Sequence, residues 1–187
     1  MEVKGTAVVS LPLFIEENFG EHERDRWLTA LSPQAREVFS GTVETGVWYP
    51  LRPIFIEPTR LLCDMFYEGD LRGAWACGMH SAEYALRGIL KLFVKFGSPS
   101  FIVSRAGSIF SQYYRPSLMR VARQTNNETV LHIRTFPEPD EVIESRICGW
   151  IEQALRIHGC KTVSVAIGDS LCRGDEKTEI RVSWRSG

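Results

Sequence analysis

The sequence predicts an α+β protein: an N-terminal helical bundle over about residues 1–116, then a small antiparallel sheet over about 117–187 made of two hairpins with an intervening helix. Three observations predict it. Apolar residues recur every three or four positions through the first part. From Ser117 the period shortens to two. The stretch Gly149 to Trp184 then reads as a helix end, a strand, a turn and a return strand.

Taken in order, Val3 to Val9 carries β-branched residues with Gly5 and reads as a short strand or an extended lead-in. Ser10 and Pro12 start a helix that Gly20 ends. A second helix covers Glu21 to Leu31, with Trp27, Leu28 and Leu31 inward. Ser32-Pro33 caps a third, which stops at Gly41. Trp48-Tyr49-Pro50 opens a segment punctuated by Pro53 and Pro58, so an irregular entry precedes a helix running to Tyr67. Glu68-Gly69-Asp70 stops that helix. The longest periodic stretch follows from Leu71 to Phe96, with Leu71, Trp75, Met79, Ala82, Leu86, Ile89, Leu90 and Phe93 on one stripe. Glu83 and Arg87 form an i,i+4 pair on its polar side. Gly73, Gly78 and Gly88 weaken it as a helix, which predicts that neighbours cross it closely. Gly97 and Ser98-Pro99 restart the chain as a helix to about Tyr114.

Leu118 to Arg123 and Thr129 to Phe136 read as a hairpin around Asn126-Asn127. Pro137 and Pro139 end it, and Asp140 and Glu141 sit where a helix dipole favours acids. Glu144, close by, has the same explanation. The next helix carries Ile143, Ile147, Trp150, Ile151, Ala154, Leu155 and His158 on one face and stops at Gly159. Val163, Val165 and Ile167 alternate with Thr162, Ser164 and Ala166 along one strand, and Ile180, Val182 and Trp184 alternate along a return strand after a tight turn at Gly174-Asp175.

Composition narrows the function classes. The chain has 187 residues, 44% hydrophobic and 24% charged, so one domain with a real core is expected. With 22 basic against 23 acidic residues there is no basic stripe, and nucleic acid is not expected as a partner. Every apolar run is interrupted by charges, which predicts no membrane span. The N-terminus lacks a signal-peptide order, so the expected location is cytoplasmic. Cys63, Cys77, Cys148, Cys160 and Cys172 are an odd set with no C-x-x-C pair, and read as small buried apolar residues.

No phosphate loop or nucleophile motif anchors a reaction, and the chain is read as non-enzymatic. The informative set is aromatic: Trp48, Tyr49, Trp75, Met79, Tyr84, Phe110, Tyr113 and Tyr114, with Arg115 beside them. Any one of these fills a core readily. Together, Trp48, Trp75, Met79, Phe110, Tyr113, Tyr114 and Arg115 are the candidate ligand-binding residues, with Arg115 as partner for a carboxylate at the mouth.

Several motifs in order carry a family resemblance: Lys4-Gly5-Thr6, Trp48-Tyr49-Pro50, Gly69-Asp70, Gly78, Gly97-Ser98-Pro99, Tyr113-Tyr114, Gly149-Trp150, and Gly174-Asp175 with Trp184. In that order the chain resembles the superfamily joining haem nitric-oxide-binding domains, 4-vinyl-reductase-type ligand domains and the small subunits of the TRAPP tethering complex. The resemblance is greatest to a bacterial branch abundant in myxobacteria. It implies a haem-NO-binding or TRAPP-subunit-like fold and a cavity between helices and sheet.

Two departures shape the expectations. The haem branch should carry an iron-ligating histidine on the helix Pro99 to Tyr114 and a Tyr-x-Ser-x-Arg run downstream. That helix contains no histidine, and Tyr114-Arg115-Pro116-Ser117 with Arg120 has other spacing. His80, on the preceding helix, reads as a hydrogen-bonded packing residue. No cofactor is therefore expected, haem being disfavoured for want of an axial ligand. Where the 4-vinyl-reductase branch has two cysteines, this chain has Ser170 and Thr178, with Cys172 expected to share a strand face with Ser170. The expected function is a sensory or ligand-binding domain. It would hold a small apolar ligand and signal to a partner protein through the long helix. The alternatives are a ligand-free dimerisation or scaffold module, with a homodimer as its form, and a haem gas sensor.

Overall fold

A computed structural model describes residues 1–86 and 98–186. The lead-in divides into strand β1 (Glu2–Lys4) and a single helical turn α1 (Gly5–Val8). Three short helices follow, α2 (Ser10–Phe19), α3 (Glu21–Ala30) and α4 (Pro33–Ser40). Gly20, at φ 95°, makes the corner between α2 and α3 that other residues disfavour. Ser32 caps α4 by accepting from the Ala35 N–H, with Pro33 at the first helical position. Trp27 anchors this layer. Its ring is fully buried edge-on to Phe39, and its Nε1–H donates to the Pro58 carbonyl at 3.1 Å.

The proline-punctuated segment forms strand β2 (Trp48–Pro50), a wide π-helical stretch (Arg52–Ile56) and α5 (Glu57–Phe66). Glu68 and Gly69, both at positive φ, turn the chain into α6 (Arg72–Leu86). The rest of the long stripe, with Arg87, Gly88, Ile89, Leu90, Phe93, Phe96 and Gly97, lies outside the described residues. Beyond it, one expected helix is two, α7 (Pro99–Ser104) and α8 (Ala106–Tyr113), meeting at Arg105.

The sequence reading missed one sheet. Strand β3 (Tyr114–Arg115) and β2 both pair antiparallel with β1, in the order β2-β1-β3. Each of these strands is two or three residues long, too short for alternation to register. The expected hairpins are present as β4 (Leu118–Gln124), β5 (Glu128–Thr135), β6 (Cys160–Ile167) and β7 (Thr178–Ser186), flanking α9 (Glu141–Ile157). They form one antiparallel sheet in the order β4-β5-β7-β6. Val163, Val165 and Ile167 stand opposite Trp184, Val182 and Ile180. The β6–β7 connection is not a tight turn. It spans residues 168–177 around a 3₁₀ turn (Leu171–Arg173), with Gly174 left-handed at φ 85°.

Helix α9 is the middle layer, between α6 and the four-stranded sheet. Asp140 caps it, accepting from the Val142 N–H at 3.0 Å. Side chains fasten it to α6: Ser145 Oγ donates to the Leu71 carbonyl, Trp75 Nε1–H to Glu152, and Gln153 to Glu83. Among the described residues no helix is long and apolar enough to cross a membrane.

Candidate functional site

Where the helical layer meets α9 and β4 the side chains leave a cavity of about 60 Å³. Its wall takes Phe55 from the π-helical stretch, Phe110 and Tyr113 from α8, and Tyr114 from β3. Met119 comes from β4, and α9 contributes Arg146, Ile147, Trp150 and Ile151. The α9 residues are there because of their spacing: positions 147, 150 and 151 share one helical face, and 146 and 150 are four apart. Phe110, Tyr114 and Phe136 form a mutual aromatic cluster with centroids 5.0–5.8 Å apart.

One charge stands in this apolar wall. Arg146 is 3% exposed. Its Nη1 donates to Thr59 Oγ1 at 3.0 Å, and its guanidinium lies 4.1 Å from the Phe55 ring centre. Nη2 is buried without a hydrogen-bond partner. Trp150 Nε1, one turn along the same helix, is also buried and unpartnered. Among the described residues no acidic side chain lines the cavity. A buried cation costs several kcal/mol in lost hydration. A desolvated cation–π contact returns about 2 and one neutral acceptor about 1. The guanidinium thus keeps one N–H without a partner inside the protein.

Burial pushes the phenols of Tyr113 and Tyr114 above their ordinary value, so both remain O–H donors at neutral pH. Phe110, Tyr113 and Tyr114 thus stand in the wall, and four other sequence candidates stand elsewhere. Arg115 is half-exposed, bonded through Nε to Glu2 at 2.6 Å and stacked 4.2 Å over Trp48. Trp75 and Met79 lie on the α6 side of the α6–α9 seam. Tyr84 is exposed and the Tyr49 hydroxyl accepts from the Glu44 N–H. Arg146 and Phe55 were missed. The signal for Arg146 was available, since it sits three after Ile143 and four before Trp150, a basic residue inside an apolar stripe.

His80 is not at the cavity. Its Nε2 lies 3.0 Å from Glu17 and its ring meets Phe14 edge-on. Ser170 and Thr178, expected beside a turn, converge on a buried carboxylate. Glu144, 6% exposed, accepts from Ser170 Oγ at 2.8 Å through each oxygen and from Thr178 Oγ1. Glu144 is thus a buried acceptor and not a solvated residue placed for the dipole. Ser170 and Cys172 do not alternate on a strand: the Ser170 hydroxyl caps the 3₁₀ turn by accepting from the Cys172 N–H.

This architecture is the H-NOX fold. No family model matches the chain and no curated protein does. Among solved structures it is similar to the Fe(II) unliganded H-NOX protein from K. algicida, with TM-score 0.75, 9% identity, 98% of this chain and 97% of that one covered. It is also similar to an S. oneidensis H-NOX protein in the Fe(II)NO state, with TM-score 0.73, 12% identity and coverage of 98% and 99%. The S. oneidensis domain in its Fe(II)CO state gives TM-score 0.68 at 12% identity, again over 98% and 99%.

These neighbours correct the expectation of no cofactor, because these H-NOX proteins carry iron and were solved in Fe(II), Fe(II)NO and Fe(II)CO states. The cavity of about 60 Å³ is too small for such a group as it stands, and only the chemistry of its wall fits in part. Arg146 suits a carboxylate, and Tyr113, Tyr114 and Met119 supply oxygen and sulfur donors. None of the chain's four histidines (His22, His80, His132, His158) lines the cavity, so the donor set differs from histidine ligation.

Proposed function

We propose that this chain is a sensory ligand-binding domain, not an enzyme, with its ligand held between the helices and the sheet and occupancy passed to a partner protein. The observation carrying this is the apolar cavity whose wall holds two buried, unpartnered donors. A ligand there touches α9 directly, and α9 is fastened to α6 along its length. Filling the cavity would shift the α6–α9 seam, and a partner reading that seam would sense occupancy.

Haem-based gas sensing is the form of this reading that the iron-containing neighbours favour. Tyr113, Tyr114, Met119 and Arg146 are the wall residues that would hold the haem, and the haem would supply the gas-binding metal. The kinship to the myxobacterial branch and the tethering-complex subunits rests on motif order, and a homodimer belongs to that part of the reading. The test is a titration of the purified chain with hemin, followed by Soret absorbance, beside a thermal-shift screen of small acids. A saturable Soret band or a saturable rise in Tm supports the domain as a ligand binder. No response to either probe overturns it.

A further inference from the structure

We infer that β6 is a self-association edge, pairing antiparallel with β6 of a second copy so that two four-stranded sheets become one continuous sheet. The inference concerns the sheet edge opposite β4, the strand that lines the cavity, and does not rest on the ligand reading. Among the described residues β7 flanks one side of β6 and α9 covers its inner face. The Gly168 N–H donates to the Glu179 carbonyl, and Ala166 and Ser164 continue that register opposite Arg181 and Ser183. Alternate residues of an antiparallel strand bond to the same side, so Val163, Val165 and Ile167 turn their N–H and C=O groups away from β7.

An open edge is a template for another strand unless charge, proline or a bulge blunts it. Lys161 and the bulge beside it blunt only the start, since Thr162 to Ile167 carries neither charge nor proline. The other three strands carry Arg120, Arg123, Arg134, Arg181 and Arg185. Burial agrees: Val163, Val165 and Ile167 are half-buried, whereas Leu131, Ile180 and Val182, inward on the central strands, are 0–2% exposed.

The order of residues along the edge selects a second copy as its occupant. With Val165 on the two-fold axis, Val163 stands opposite Ile167 of the second copy, Ser164 opposite Ala166 and Lys161 opposite Asp169. Apolar side chains then meet on the inner face, and opposite charges meet at both ends. Lys161 is exposed and has no ion-pair partner among the described residues. Asp169 gives Oδ2 to Lys177, and its side chain is 52% exposed.

Sedimentation equilibrium of the full chain tests the inference, and for so small an interface a dimer with Kd of about 1–100 μM is expected. Val165→Lys and Val165→Glu each place like charges opposite one another across the axis and should weaken the dimer at least about tenfold. An equimolar mixture of the two variants should restore it as a heterodimer, which a merely damaged strand would not do. If neither variant keeps the native far-UV dichroism, Lys161→Glu at its exposed position should weaken the dimer about threefold, and Asp169→Lys in the same chain should restore it. A chain that stays monomeric to about 500 μM overturns the inference and leaves the edge to a strand from another protein. A dimer indifferent to the Val165 and Lys161 variants overturns it by placing the interface elsewhere.

Discussion

Gly78 on α6 and Gly149 on α9 face each other's helix backbones at the crossing of the two helices. A Cβ on Gly78 would fall 2.1 Å from the Arg146 carbonyl oxygen, and one on Gly149 would fall 2.1 Å from that of Trp75. The contact is reciprocal, and it joins the seam to the cavity, because the carbonyl met by Gly78 belongs to the cavity arginine.

Gly149→Ala should therefore be costly although alanine is the better helix former. Backbone cannot yield as a flexible side chain does, so the helices must separate, at about 1–3 kcal/mol. For a chain of this size that lowers Tm by roughly 2–12 °C. Gly46→Ala, at a position with nothing within 4 Å and no positive φ, serves as the control and should leave Tm unchanged. Thermal unfolding followed by circular dichroism reads both, and equal Tm values would mean the crossing is looser than described.

Glu144 offers a second test. Its two hydroxyl partners are oriented by backbone: Ser170 Oγ accepts from Cys172 N–H and Thr178 Oγ1 from Leu171 N–H, so both hydroxyl protons point at the carboxylate. Glu144→Gln replaces one anionic acceptor by a donor and should cost about 1.5–3 kcal/mol in urea unfolding. Ser170→Ala should then cost less in the Glu144→Gln background than alone. Strict additivity would show the three groups act independently.

The legible parts of this chain are those with period or punctuation. Ser32-Pro33, Gly20 and Gly159 mark helix ends by local chemistry, and Val163, Val165 and Ile167 declare one buried strand face. The glycines of α6 announced a close crossing, though not which helix crosses. What a single sequence hides is long-range. The β2-β1-β3 sheet joins residues more than a hundred positions apart through strands too short for a pattern. Arg115 looked the better carboxylate partner because it follows two tyrosines, yet β3 pairing with β1 carries it to Glu2. Arg146 was not singled out, because only the fold brings α5 and the π-helical stretch against it. Ser170 and Thr178 were singled out by position alone, and only α9 reveals their shared acceptor.

Arg115 and Arg146 make a direct contrast. Arg115 has an ion pair and an aromatic partner, but its side chain is 49% exposed, so solvent screens both. Arg115→Ala should change stability by less than about 1 kcal/mol in urea and leave the hemin titration unchanged. A loss of hemin binding in Arg115→Ala would place a ligand carboxylate at Arg115 and away from the cavity wall described above.

Alkaline pH should weaken the fold through its cysteines. Burial pushes the thiols of Cys63 and Cys172 up to about 11 and that of Cys148 to about 12, from an ordinary value of 9.0. For Cys148 and Cys172 the Glu144 carboxylate adds to burial by disfavouring a second negative charge. The folded values lie above the unfolded one, so the native state keeps these protons while the unfolded chain releases them. Their contribution is complete below pH 9 and is eroded between 9 and 12, at up to about 1.4 kcal/mol per pH unit for a group wholly within its window. Urea unfolding under reducing conditions from pH 8 to 11 should show this decline. Cys148→Ala, which removes the largest of the three shifts, should flatten it at some cost in stability at pH 8 from the small void it leaves. An equal slope in the variant would mean that Cys148 is no harder to ionise in the fold than in the open chain.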